Sequence, residues 1–174
     1  MTQLSDNPQS VNLQSSLNYY FTIQRAPGVT FYCQSVKIPN ITLPPAKVPT
    51  PSLYIPMIGD HLVYDDLELT FKVTDDLQNW LEIYNWITAI GNPDNTGKNY
   101  KILEANPDYA GYGIYSDLQL FTLDSQRNPT YVFTFHHCSP TGLTGPQFGT
   151  TDETVKYITS SVRFNYLKYH ISLP

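Results

Sequence analysis

Charge and cysteine are what this chain has least of. Only 14% of its 174 residues are Asp, Glu, Lys or Arg, against about a quarter in an average soluble domain. Two cysteines, Cys33 and Cys138, are too few for a disulfide framework, and neither has companions at zinc-ligand spacing, so free, buried thiols are expected. A single bridge stays open as an alternative, because sequence does not give the Cα separation of about 4.4 to 6.8 Å that one requires. No basic segment followed by an apolar run opens the sequence, and no stretch approaches the ~20 apolar residues of a membrane span. A soluble protein made in the cytoplasm, with no membrane partner, is the expectation. A Gly-rich phosphate loop, a GxSxG elbow and a paired-carboxylate motif are also missing, so neither an enzyme nor a cofactor is expected. Internal repeats are absent, which excludes a solenoid.

The net charge is −5, from 10 basic and 15 acidic residues. That balance lacks the basic footprint of a protein that grips a phosphate backbone. A conduit through which DNA slides is a different case, because a neutral or acidic wall repels phosphates.

What the chain has instead is tyrosine. Its 14 tyrosines, with Thr, Ser, Asn and Gln, must supply the polar surface that charges do not. A tyrosine pairs an apolar ring with a hydrogen-bonding tip, which suits wet contacts in an assembly and equally suits exposed strands. Length favours one domain, residues 17–174, behind a polar Asn/Gln/Ser-rich leader over 1–16 that is expected to be flexible.

Alternation marks the strands. Leu17, Tyr19, Phe21 and Ile23 alternate with polar neighbours, Ala26-Pro27-Gly28 reads as a turn, and Val29 to Val36 reads as the hairpin partner. From Pro39 to Pro56 six prolines remove backbone donors, which predicts an extended arm over 39–56 and no central strand or helix. Leu67, Leu69, Phe71 and Val73 alternate with Glu68, Thr70 and Lys72, a strand with one buried face. Asp75 and Asp76 then offer acceptors and negative charge to a helix start, with Gln78 at capping-box spacing from Asp75. Leu77, Trp80, Leu81, Tyr84, Ile87 and Ile90 give the helix an apolar stripe, and Gly91 and Pro93 stop it. Residues 92–113 form an Asn/Asp/Gly/Pro-rich excursion. Strands follow over Ile114–Leu123 and around Tyr131, Phe133 and Phe135, separated by a turn over Asp124–Pro129. Beyond a loop over Ser139–Thr151, a long final strand is expected over Val155–Ile171. The sum is mainly β with one helix, an α+β chain forming a sandwich or barrel with the helix over one opening.

Sites for chemistry are few. His136, His137 and Cys138 are adjacent, but neighbouring strand residues face opposite ways, so the two histidines do not converge on one ion. Asp60, Asp65 and Asp66 form an acidic trio, yet calcium wants six or more oxygens, and turn or strand-edge aspartates explain them. No metal site is expected.

One set of residues does resemble a known family. The early strand Tyr19–Gln24, the segment Phe31–Pro45, then Ile58-Gly59-Asp60 and Tyr64-Asp65-Asp66, a strand, and a helix carrying Trp80 and Trp86 resemble the tail tube proteins of T4-like contractile phages. The likeness covers about residues 17–91 well and includes the baseplate relatives of the tube. It implies a ring-forming sandwich or barrel of the tail tube type. Six copies would join their sheets into one inner barrel, and rings would stack into a tube guiding DNA during ejection. Implied partners are further copies of the chain, sheath and baseplate or neck proteins, and viral DNA passing without specific binding; the implied location is the virion tail, assembled in the bacterial cytoplasm. The structural motif would be Gly59, Asp60, Tyr64, Asp65 and Asp66. Candidate subunit contacts are Leu53, Tyr54 and Ile55 in the arm and Tyr109 and Tyr112 in the 92–113 loop. A baseplate initiator or tail terminator of the same fold is the alternative within the class. A small β-sandwich that stacks glycans on exposed tyrosines is the alternative outside it.

Overall fold

The alternation over Leu67–Phe71 is realised without change. Leu67, Leu69 and Phe71 are fully buried, while Glu68, Thr70 and Lys72 are half-buried on the other face. The computed structural model describes residues 13–49, 53–91, 114–149 and 156–174. In chain order its elements are β1 (Tyr19–Ile23), α1 (Pro27–Phe31), β2 (Cys33–Lys37), β3 (Ile41–Thr42), β4 (Ala46–Pro49), β5 (Tyr54–Met57), β6 (Val63–Tyr64), β7 (Leu67–Lys72), α2 (Gln78–Gly91), β8 (Ser116–Leu123), β9 (Pro129–Leu143), β10 (Thr159–Asn165) and β11 (Lys168–Ser172).

Seven strands form one antiparallel sheet in the order β1-β8-β9-β10-β7-β2, with β11 also against β9. The 15-residue β9 is its hub. Val132–His136 pair with β11, whereas Ser139–Leu143 pair with β10, and β8 runs along the opposite side. Between the two stretches lies a bulge: Asp117 of β8 faces both His136 and His137, and His137 takes a left-handed φ of 55°. A bulge bends its strand and increases the local twist, so the sheet turns a corner here. Among the described residues the strands do not close into a barrel.

Inside the bend lies the core. Phe21, Ile23, Leu118, Leu120, Phe135, Val162 and Phe164 from the sheet pack with Val29 of α1 and Ile83 and Trp86 of α2. Trp86 meets the Phe164 ring at 5.8 Å and donates its indole N–H to Ile114 O at 2.8 Å. A buried tryptophan is thus satisfied at both its apolar body and its polar tip.

Several expectations change on contact with tertiary structure. Val29–Val36 is not the partner of β1. Pro27 instead opens a short helix, and the Gly28 N–H at its start donates to Glu82 Oε2 of α2 at 3.1 Å. Burial holds that carboxyl above the usual range. β2 then begins at Cys33 and pairs with β7, while β1 pairs with β8. The helix α2 exists, but its buried stripe runs through Asn79, Ile83 and Trp86, and Tyr84 is exposed. A polar residue leads that stripe because Asn79 is fully used: its Oδ1 accepts from Thr74 N and Oγ1 at 3.2 Å each, and its Nδ2 donates to Lys72 O at 2.7 Å. Asp76 does cap α2, accepting from Gln78 N at 3.2 Å, though Gln78 is the first helical residue and closes no box.

Strand β9 runs on to Leu143 where a loop was expected from Ser139. The expected final strand breaks at Tyr166 and Leu167, opposite the β9 corner, into β10 and β11. Both cysteines are free, so the bridge is not formed. Cys138 is buried and Cys33 half-buried beside Tyr19; burial pushes the Cys33 thiol up to about 11 and the Tyr19 hydroxyl, its hydrogen-bond partner, up to about 12.

Candidate assembly interface

The Pro-rich arm is not a lone extended segment. β4 pairs with β5 over Ala46–Pro49 and Tyr54–Met57, and β3 pairs with β6. Prolines fit here because each strand of a two-stranded ribbon has a free edge, where a missing N–H costs nothing. The arm is therefore a self-paired ribbon that projects from the end of the sheet where β2 stops and β7 starts.

Its attachment involves Gly59, Tyr64 and Asp65. A Cβ on Gly59 would stand 2.0 Å from the Pro44 carbonyl oxygen, so glycine is required by close approach of two backbones. Asp65 N–H donates to Asn40 O at 3.2 Å, and Asn40 Nδ2 donates to Asp65 Oδ2 at 2.8 Å, which ties the two sides of the arm together. Tyr166 Oη donates to Asp65 O at 2.9 Å. Tyr64 packs edge-on against Tyr166 and Tyr169, with ring centroids 6.0 and 5.8 Å away. Burial, then neighbouring tyrosines, then Asp65 and Asp66, push the Tyr166 hydroxyl well above its ordinary pKa. Asp66 is exposed at the head of β7. Asp60 bonds its neighbour His61, 2.9 Å from Nδ1, which holds the Asp60 carboxyl below its usual range. Asp60 and Asp65 serve different partners, and no cluster of three or more metal-ligating side chains occurs among the described residues.

Beyond this base the ribbon is apolar and wet. Tyr54 is 70% exposed and Ile58 90%, and Leu53, Met57, Leu62, Ile41 and Leu43 are exposed as well. Isolated exposed apolar residues are ordinary, and several on one ribbon make it the candidate contact surface. Of the candidate contacts, Leu53 and Tyr54 lie on this surface and Ile55 lies within β5, paired with Val48. Tyr109 and Tyr112 lie outside the described residues, as do 92–113 as a whole. Sequence reasoning missed Asn40, within the arm itself, and Tyr166 and Tyr169, which reach it from a remote part of the chain.

His136 and His137 do part company, for a different reason from simple strand alternation. The bulge sends His136 to Asp117 and His170, and sets His137 edge-on to Tyr115 with centroids 5.8 Å apart.

No protein-family model matches the sequence, and no curated protein matches it. Solved structures match over nearly all of it. The anti-feeding prophage cap, a tube terminating cap, superposes with a TM-score of 0.65 at 13% identity, covering 100% of both chains. A chain of the PVC sheath–tube complex in its extended state, from an extracellular contractile injection system, gives 0.60 at 12% identity over 98% of this chain and 95% of the other. A chain of the anti-feeding prophage baseplate gives 0.59 at 10% identity over 94% and 97%. At such identities the likeness is one of fold, and the chain has the fold of the tube, cap and terminator proteins of contractile tails.

Proposed function

We propose that this chain is a structural subunit of a contractile tail, one of six copies that join edge to edge in a ring, with rings stacked into a tube. The observation that carries this reading is the whole-length fold match to a tube terminating cap, in which neither chain has an unmatched part. Open sheet edges support it, since ring closure pairs strands that would otherwise invite uncontrolled association. The arm, with Leu53, Tyr54 and Ile55, and the 92–113 loop, with Tyr109 and Tyr112, contact neighbouring copies. Stacking repeats one face against the opposite face, the heterologous contact that makes a filament.

In the finer reading the particle is a phage tail assembled in the bacterial cytoplasm, with sheath and baseplate or neck proteins as partners and DNA passing through an unsticky lumen during ejection. An extracellular injection system is served by the same ring. A terminator position is the second reading, favoured by the cap match. No catalytic role is proposed.

Negative-stain electron microscopy with light scattering tests this. Six-fold rings or hollow tubes of purified protein are the result expected for a tube subunit. Rings that cap added tubes without growing would select the terminator. A strict monomer at high concentration, unrecruited by tube or baseplate, would overturn both.

A further inference from the structure

Three side chains lie in a line across the corner of the sheet. Asp117 Oδ2 on β8 is 3.0 Å from His136 Nδ1 on β9, and Asp117 Oδ1 accepts the His137 backbone N–H at 3.0 Å. His136 Nε2 is in turn 2.9 Å from His170 Nδ1 on β11. The two imidazoles lie 4.9 Å apart between centroids with planes 16° apart.

Proton positions follow from the partners. An ionised carboxylate only accepts, so His136 carries its proton on Nδ1 and presents a lone pair at Nε2. His170 Nδ1–H donates to that lone pair. One added proton is easily placed on the outer Nε2 of His170, because every hydrogen bond survives and the new cation sits at the far end of a chain that begins with a carboxylate. A second added proton must go to His136 Nε2, where it meets the Nδ1–H of His170. Donor then faces donor, and two cations stand side by side. Lys168, the β11 residue in register with His136, adds a third positive charge, and His137 lies at the adjoining bulge position.

We propose that Asp117, His136 and His170 form a proton-counting latch, which holds β11 on β9 with no added proton or one and releases it with two. With both imidazoles doubly protonated no acceptor is left between the rings, so attachment weakens in acid. Release uncovers the Val132–His136 edge of β9 at the point where the sheet turns. The inference concerns the subunit's own fold and goes beyond the tube reading, so it stands or falls apart from that reading.

Amide hydrogen exchange of β11, expressed as protection, tests it near pH 7 and about pH 4.5, together with imidazole nitrogen NMR. Wild type should show the Nδ1–H tautomer at His136 near neutrality and lose about tenfold or more of its β11 protection in acid. His170→Asn, which keeps a donor for His136 Nε2 but takes up no proton, should keep its protection. Equal acid loss in both proteins overturns the proposal. So does an Nε2–H tautomer at His136, a readout that needs no variant.

Discussion

The sheet body and the arm are made from the same kinds of residue and use them in opposite ways. In the body, apolar side chains such as Leu69, Phe135 and Phe164 are wholly buried and held from both sides. In the arm, Tyr54, Met57, Ile58 and Leu62 face water from a ribbon whose strands pair only with each other. The difference teaches that the buried hydrophobic core is drawn from the body, while the arm leaves most of its apolar side chains in water. Between the two lies a small joint, Gly59 on Pro44 and Asp65 among Asn40 and Tyr166, that fixes how the ribbon leaves the sheet.

The comparison can be broken most severely from the body side. Trp86→Ala removes the contact with Phe164 and the bond to Ile114 O, and should cost about 3 to 5 kcal/mol in chemical denaturation. The joint comes next. Gly59→Ala forces a Cβ against a backbone carbonyl, and should cost about 1 to 3 kcal/mol while shifting the arm and impairing assembly; retained assembly with unchanged stability would show that the arm tolerates a new exit angle. The arm should give the smallest stability effect. Tyr54→Ser with Ile58→Ser should leave monomer stability within about 0.5 kcal/mol, yet abolish rings or tubes in sedimentation and microscopy. Intact assembly in that pair would mean that the exposed ribbon is not the contact surface.

How much of this was legible beforehand depended on the range of the interaction. β7 and β1 were readable because alternation is a local signal, and α2 because Asp76 and its stripe lie within a few turns. Its buried face was misread, since Asn79 looks like a surface residue until Thr74 and Lys72 are seen to use all of its polar atoms. α1 was missed because Ala26-Pro27-Gly28 spells a turn, and the Glu82 carboxylate that accepts the Gly28 N–H lies 54 residues on. At the joint, Gly59 and Asp65 stood out in the sequence, but the Tyr166 that binds Asp65 is 101 residues away. The latch needed three strands and a bulge, none of which any local pattern encodes.

The position of β10 has a kinetic consequence. It slots between β7 and β9, so the centre of the sheet is sealed by a strand that follows β7 by some 90 residues, with Leu67 meeting Phe164. Such long-range closure is slow, because loop entropy is spent before any pairing rewards it. Until it occurs, β7 and β9 each offer an open edge to other chains. Folding in a crowded cell is therefore a race, in which each chain must finish its own sheet before another copy supplies a strand in its place.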